Sequence, residues 1–92
     1  MILEEGIADI DNYAFQDMPF LERVIFPDSL TDIAGDAFCR CNSLRIVIIP
    51  AGIDTIWDHA FTECENLKTA MVPRSACFFA ESFPKGCKVI MY

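Results

Sequence analysis

A repeat with a period of 23 residues constrains this chain most. The dipeptide Ala-Phe begins at residues 14, 37 and 60, and proline recurs at residues 27, 50 and 73. Apolar residues fill further columns in the same register: Leu21, Leu44 and Leu67; Ile10, Ile33 and Ile56; Val24, Val47 and Ala70. Because repeats of two helices need about 33 residues or more, the period predicts short, stacked coils of a solenoid.

Each repeat is predicted to contribute one coil with two extended segments. The first, Leu-x-x-Val-x-Ile, alternates at its end and contains β-branched residues, as strands do. Pro27, Pro50 and Pro73 end these strands because proline has no amide hydrogen for a ladder. After a second short extended stretch, segments such as DAFCRC (36–41) are predicted to form a helical or 3₁₀ turn with an Asp or Asn cap.

The repeat resembles the BspA-type leucine-rich repeat, also called the treponemal type. Residues 21–44 (LERVIFPDSLTDIAGDAFCRCNSL) and 44–67 (LRIVIIPAGIDTIWDHAFTECENL) follow that family's pattern, Leu-x-x-Ile-x-Ile-Pro-x-Ser-Val-x-x-Ile-Gly-x-x-Ala-Phe-x-x-Cys-x-x. The family's serine is kept at Ser29 but is Gly52 in the next repeat. Its glycine is replaced by Ala34, Trp57 and Ala80.

The resemblance implies a single β-rich domain over residues 1–92, coiled as a short right-handed leucine-rich-repeat solenoid. We expect a partial repeat at about 1–20, full repeats at 21–43 and 44–66, and a degraded C-terminal repeat at 67–92. In that last repeat Ala-Phe has become Ser82-Phe83, and one residue is missing before Cys87. Met1–Leu3 aligns with Val24–Phe26, so the chain is expected to begin within a strand.

Charge and composition exclude several classes of function. The net charge is -7, with nine acidic and one basic residue in 1–39 against five acidic and six basic residues in 40–92. This disfavours nucleic-acid binding, which needs clustered cations.

No apolar run approaches the ~20 residues of a membrane helix, so membrane insertion is not expected. The first residues lack a signal-peptide pattern. An exported protein would carry its signal on a longer chain, whereas a full-length protein of this size would be cytoplasmic.

Three cysteines are expected to be buried. Cys41, Cys64 and Cys87 occupy one column, and Met18 fills it in the first repeat. Cysteine and methionine share softness more than reactivity, which favours buried thiols that pack as small hydrophobes. Stacked coils are about 5 Å apart, so a disulfide within this column is the geometric alternative.

The remaining chemically versatile residues give weak candidate sites. Cys39 and Cys77 align with polar residues and are expected near the surface, as is His59, the single histidine. A zinc site needs about four converging ligands, and these three lie in different columns. Asp9 and Asp32 share a column, but calcium needs six to eight oxygens and the column soon ends. We therefore expect no catalytic residues, metal or cofactor.

The outward side of the first strand is the predicted binding face. Its positions alternate with the buried ones and include an apolar row, which is typical of a partner site, although residues with high strand propensity are the simpler explanation. Two aromatic residues that replace smaller ones are further candidates, while Phe79 is expected in the core. The predicted partner-binding residues are Arg23, Ile25, Ile46, Ile48, Thr69, Met71, Trp57 and Phe78.

The resemblance implies a bacterial cell-surface or secreted protein that attaches to host matrix proteins, host cells or other bacteria. On that basis the chain is expected to be a protein–protein interaction module with an unidentified host protein as its ligand. The first alternative is a structural spacer or capping segment of a longer array. A thiol- or metal-dependent enzyme ranks last.

Overall fold

The computed structural model describes all residues 1–92 and contains seven short strands. Every paired strand is parallel to its neighbour, as expected when each coil repeats the path of the previous one. The strands are β1 (Asp9–Ile10), β2 (Asp32–Ile33), β3 (Ile46–Ile48), β4 (Thr55–Ile56), β5 (Thr69–Val72), β6 (Cys77–Phe78) and β7 (Lys88–Met91).

These strands form two sheets on two sides of a solenoid of about four coils. We name the coils by the predicted repeats: coil 1 (1–20), coil 2 (21–43), coil 3 (44–66) and coil 4 (67–92). The first extended segments form the sheet β3-β5-β7, and the second segments form the sheet β1-β2-β4-β6. Ile2 also forms a parallel bridge with Ile25, which confirms that the chain begins in a strand position. The predicted β-solenoid is confirmed.

The third side of each coil is a series of turns and not the predicted helical or 3₁₀ turn. Residues 36–40 in coil 2 form consecutive turns, with left-handed backbone at Asp36 (φ 60°) and Arg40 (φ 59°). Coils 1 and 3 repeat both left-handed positions 23 residues away. Left-handed residues interrupt a helix, and Asp, Asn and His adopt this conformation more readily than most residues. No part of the chain forms a helix long and apolar enough to cross a membrane.

Hydrogen bonds between coils also run along these turns. The Phe38 amide donates to the Ala60 carbonyl at 2.9 Å, and the Arg40 amide donates to the Thr62 carbonyl at 3.0 Å. The Phe15 amide makes the corresponding bond to Ala37 at 2.8 Å. The turns therefore supply the inter-coil bonds that offset the cost of their left-handed residues.

A ladder of phenylalanine rings runs through the core. Phe38 stacks on Phe61 with the ring centroids 5.1 Å apart, and both side chains are fully buried. Phe15 extends the stack at 5.3 Å on one side, and Phe83 extends it at 5.4 Å on the other. Buried leucine, isoleucine and valine columns surround these rings. The recurring Ala-Phe motif therefore marks the centre of the fold.

The last coil is shorter than the sequence comparison predicts. Thr55 pairs with Cys77, an offset of 22, so the residue that the sequence comparison finds missing before Cys87 is lost between Pro73 and Cys77. By β7 the offset is 19, because Thr69 pairs with Lys88. Ser82 takes the place of the alanine and is fully buried, with its hydroxyl donating to the Ile56 carbonyl at 2.9 Å. The degraded motif thus keeps its packing.

Truncating one ring of the ladder should destabilise the whole solenoid. We expect Phe38→Ala to lower the free energy of unfolding by ~3–5 kcal/mol, because it leaves a cavity between two neighbouring rings. Urea denaturation followed by circular dichroism measures this loss. The control is Phe20→Ala, since Phe20 is 91% exposed and its truncation should change stability by less than ~0.5 kcal/mol. Equal losses from both variants would show that the ring ladder does not hold the coils together.

Candidate interaction face

The outward side of the sheet β3-β5-β7 and of the neighbouring segment of coil 2 carries six of the eight predicted binding residues. Val47 and Ala70 point into the core, so the residues on either side of them point outward. The register places Ile46 beside Thr69 and Ile48 beside Met71. Arg23 and Ile25 lie on the neighbouring strand segment of coil 2. The structure therefore brings these six residues to one face, which we call the strand face.

An apolar row crosses the strand face from coil to coil. Ile25 is 52% exposed, Ile48 is 53% exposed and Met71 is half-buried. The row continues to Ile90, which pairs with Met71 and is 39% exposed. The sequence comparison missed Ile90 because the last coil is four residues shorter at this position. The shift of offset from 23 to 19 becomes visible only when the strands are paired.

Trp57 and Phe78 lie away from the strand face. Trp57 follows β4 in the other sheet, and its exposed ring stacks on Phe79 with centroids 5.9 Å apart. Phe78, not Phe79, occupies the isoleucine column, because Ile56 pairs with Phe78. Phe78 is half-buried and meets the core ring of Phe83 edge-on at 6.0 Å. The prediction that Phe79 lies in the core is therefore wrong by one residue of register.

The buried cysteines bind backbone carbonyls of the preceding coil. The Cys41 thiol donates to the Phe15 carbonyl at 3.1 Å, and the Cys64 thiol donates to the Phe38 carbonyl at 2.8 Å. All five cysteines are free thiols. The hydrogen bond with Cys41 and burial raise the pKa of the Cys64 thiol. Both thiols are fully buried, as predicted, and the hydrogen bond with Cys64 lowers the pKa of the Cys41 thiol to about 7.

Two cysteines depart from the sequence-based expectation. Cys39, predicted near the surface, is 3% exposed, and desolvation raises the pKa of its thiol. Cys87, predicted in the buried column, is only half-buried, because the shortened coil displaces it. Burial nevertheless raises the pKa of the Cys87 thiol. Cys77 is exposed, as predicted.

The structure gathers acidic residues, not cysteines, around His59. His59 Nε2 lies 3.3 Å from a Glu81 carboxylate oxygen, and His59 Nδ1 lies 3.6 Å from an Asp58 oxygen. One ligand atom from each of the three residues fits within 4.8 Å of the others. All three are exposed, and exposed acidic groups of this kind are common on proteins without a metal. Cys39 and Cys77 do not join this group.

Another ion pair ties coil 1 to coil 2 on the turn side. The Arg40 guanidinium donates two hydrogen bonds to the Asp17 carboxylate, at 2.6 and 2.9 Å. These bonds hold the pKa of Asp17 below its usual value. Arg23, on the strand face, takes part in no ion pair.

The thiols should separate into classes by their rates of reaction with a disulfide reagent. We expect Cys77 to react first in the native protein, since it alone is exposed and a thiolate is the reacting species. Cys39, Cys41 and Cys64 should react only in guanidinium, and Cys87 at an intermediate rate. Cys77→Ser is the matched control and should remove the fast phase alone. Fast reaction of a second thiol in Cys77→Ser would contradict the burial of the column.

Stacked parallel coils with an exposed strand face and a buried leucine and phenylalanine core define a leucine-rich-repeat solenoid. The family model for the BspA type leucine rich repeat region matches residues 1–90, so the chain belongs to that family. No curated protein matches the chain.

The chain is also similar to a solved structure, a leucine rich cell surface protein from Faecalibacterium prausnitzii A2-165. The two sequences are 26% identical, and the TM-score is 0.72. The match covers 100% of this chain and 31% of that protein. The present chain thus spans about a third of the length of the protein that it resembles.

Proposed function

We propose that this chain is a protein-interaction module that binds through its strand face. The observation that carries the proposal is the apolar row of Ile25, Ile48, Met71 and Ile90, which crosses all the strands of that face. Buried apolar columns stabilise the fold, but this row makes no contribution to the core. A contiguous apolar surface rimmed by charge is typical of partner sites.

The charges around the row support a protein partner. Arg23 lies at one end of the adjacent row of outward residues and Lys88 at the other, with Ile46 and Thr69 between them. A protein surface with an apolar centre and carboxylates at its edge is complementary to this arrangement. Apolar area would supply most of the binding free energy, and the charges would orient the complex.

We further propose that the module works outside the cell. Support comes from the family and from the similar protein of F. prausnitzii, which is described as a cell surface protein. In that setting the partner would be a host matrix or cell-surface protein, or a surface protein of another bacterium. Repeat solenoids of this kind act as binding scaffolds more often than as enzymes, so we assign no catalytic role to His59 or the cysteines.

A spacer role is the second candidate, and one observation favours it. Coil 1 leaves large apolar side chains uncovered at its end, with Ile2 73% exposed and Phe20 91% exposed. Neighbouring coils cover such residues inside a longer array. A spacer needs intact stacking but no exposed apolar row, so the two functions differ in their dependence on Ile48.

The substitution Ile48→Asp tests the binding role. We expect folding to stay nearly intact because the Ile48 side chain is 53% exposed. Binding to a responsive protein in a panel of immobilised collagen, laminin and fibronectin should weaken about tenfold or more, as at the centre of an interface. Surface plasmon resonance measures the affinity, and circular dichroism measures folding.

Tyr13→Asp is the matched control, since Tyr13 is 53% exposed but lies on the turn side of coil 1. It should bind as tightly as the unmodified chain. Equal binding by Ile48→Asp would show that the strand face is not the site and would favour the spacer role. Unfolding of Ile48→Asp would show that the row belongs to the core.

A further inference from the structure

The strand face is interrupted between coil 2 and coil 3. Ile25 pairs backward with coil 1, since its amide donates to the Met1 carbonyl at 2.9 Å and its carbonyl accepts from Leu3 at 3.0 Å. On the other side, β3 pairs only with β5 and is therefore an edge strand. The ladder of strands that would be continuous in a regular solenoid thus lacks one step.

The missing step leaves backbone groups without partners on both sides. Peptide groups alternate in direction along a parallel strand, so Val24 and Phe26 face coil 3 when Ile25 faces coil 1. By the same alternation, Ile46 and Ile48 face coil 2, because the Ile49 amide donates to Met71 in coil 4. No backbone hydrogen bond joins the two sides. Donors and acceptors therefore face each other across a gap.

A cleft of about 280 Å³ occupies this gap. Its walls are the segment Val24–Phe26 on one side and Ile46 with Ile48 on the other, and Arg23 and Asp28 line its two ends. Neither Arg23 nor Asp28 forms an ion pair within the chain. The cleft is thus apolar along its length, unsatisfied along its backbone and oppositely charged at its ends.

The same two coils are closed on their other sides. The Asp54 amide donates to the Thr31 carbonyl at 2.7 Å in the second sheet, and the Phe38 amide donates to Ala60 at 2.9 Å in the turn. The gap is therefore confined to the strand face. Because the hydrogen bonds on the other two sides hold coils 2 and 3 together, the strand face can open between them while the coils stay joined.

The serine-to-glycine change in coil 3 removes one side-chain tie between coils 2 and 3. In coil 2, Ser29 accepts from the Gly6 amide at 2.9 Å and donates to the Ile7 carbonyl at 2.8 Å, which ties coil 2 to coil 1. Gly52 occupies the same position in coil 3 and has no hydroxyl. A Cβ at Gly52 would lie 2.9 Å from the Asp28 carbonyl oxygen, so a serine would fit only if the backbone shifted.

We propose that this cleft receives the main chain of an extended partner segment, which supplies the missing strand hydrogen bonds. This inference rests on the proposed function and specifies the form of its ligand. Extended peptides add to exposed strand edges through their main chain, and side-chain pockets give the specificity. Both walls run in the same direction, so a parallel segment fits the slanted bonds of either side. It carries an acidic residue opposite Arg23 at its start and a basic residue opposite Asp28 at its end.

The test uses the full chain with a synthetic peptide, Asp-Val-Thr-Val-Thr-Lys, acetylated and amidated at its ends. Amide hydrogen exchange, followed by NMR, reports the cleft directly. In the free protein the amides of Val24, Phe26, Ile46 and Ile48 should exchange fast, while that of Ile49 is protected. Saturating peptide should slow the four amides about tenfold or more. Unchanged exchange of the four amides at saturating peptide would show that the peptide does not enter the cleft and would overturn the proposal.

Two peptide variants separate main-chain docking from apolar adhesion. Methylation of alternate amide nitrogens removes the donors that face one wall of the cleft, so binding should weaken strongly. Equal binding by the methylated peptide would overturn the proposal. The charge-swapped peptide, Lys-Val-Thr-Val-Thr-Asp, should bind the unmodified chain more weakly than the original peptide does. It should bind the variant Arg23→Glu more tightly than it binds the unmodified chain. Arg45→Glu is the matched control, because Arg45 is exposed but does not line the cleft, and it should keep the original preference.

The outcomes also separate this inference from the proposed function. If Ile48→Asp abolishes capture of a matrix protein but the peptide does not slow exchange in the cleft, the strand face binds its partner as a flat surface and the cleft proposal fails alone. If the peptide binds the cleft but no protein partner depends on Ile48, the proposed function fails alone.

Discussion

The stack of Phe15, Phe38, Phe61 and Phe83 is the interaction on which the rest of the structure depends. Its centroid spacings of 5.1 to 5.4 Å are close to the spacing of parallel strands, about 4.8 Å. One ring per coil can therefore stay in contact with the next while the backbone of each coil hydrogen-bonds to its neighbour. The rings hold each coil against the next, and the second sheet, β1-β2-β4-β6, is paired through all four coils.

The proposed binding residues lie where the repeat leaves positions free of this constraint. Inward columns must fit the ring stack, and the turn residues must keep their left-handed backbone. The outward strand positions must only remain extended, so isoleucine, methionine, arginine and threonine all occur there. The gap between coils 2 and 3 lies on the same face, and no backbone hydrogen bond crosses it.

The sequence predicts the columns well, because burial repeats at a fixed spacing wherever the coils are regular. It predicts backbone geometry less well. Segment 36–41 was expected to form a helical or 3₁₀ turn, yet Asp36 and Arg40 are left-handed, and the amides of both donate to carbonyls of the next coil. Cys39 aligns with polar Gln16 and Thr62 and is nevertheless buried. Equivalent positions have different neighbours in different coils, and the alignment does not show those neighbours. Phe79 was misplaced because a deletion of one residue reverses which side chain points inward.

The candidate site was predictable in part for the same reasons. Ile25, Ile48 and Met71 follow from strict alternation beside buried neighbours. Ile90 could not be found until strand pairing defined the offset in the short last coil. Only Gly52 distinguishes the contact between coils 2 and 3 in the sequence. A single substitution does not reveal that the strand hydrogen bonds between these coils are missing.

A double-mutant cycle between Phe38 and Phe61 tests most directly whether the ring stack couples the coils. Phe38→Leu, Phe61→Leu and the double variant keep an apolar side chain in the core, and urea denaturation gives each free energy of unfolding. Stacked rings predict a favourable coupling of about 0.5–1.5 kcal/mol. Losses that add within about 0.3 kcal/mol would contradict the account and assign the stability of the solenoid to its backbone ladders and aliphatic columns.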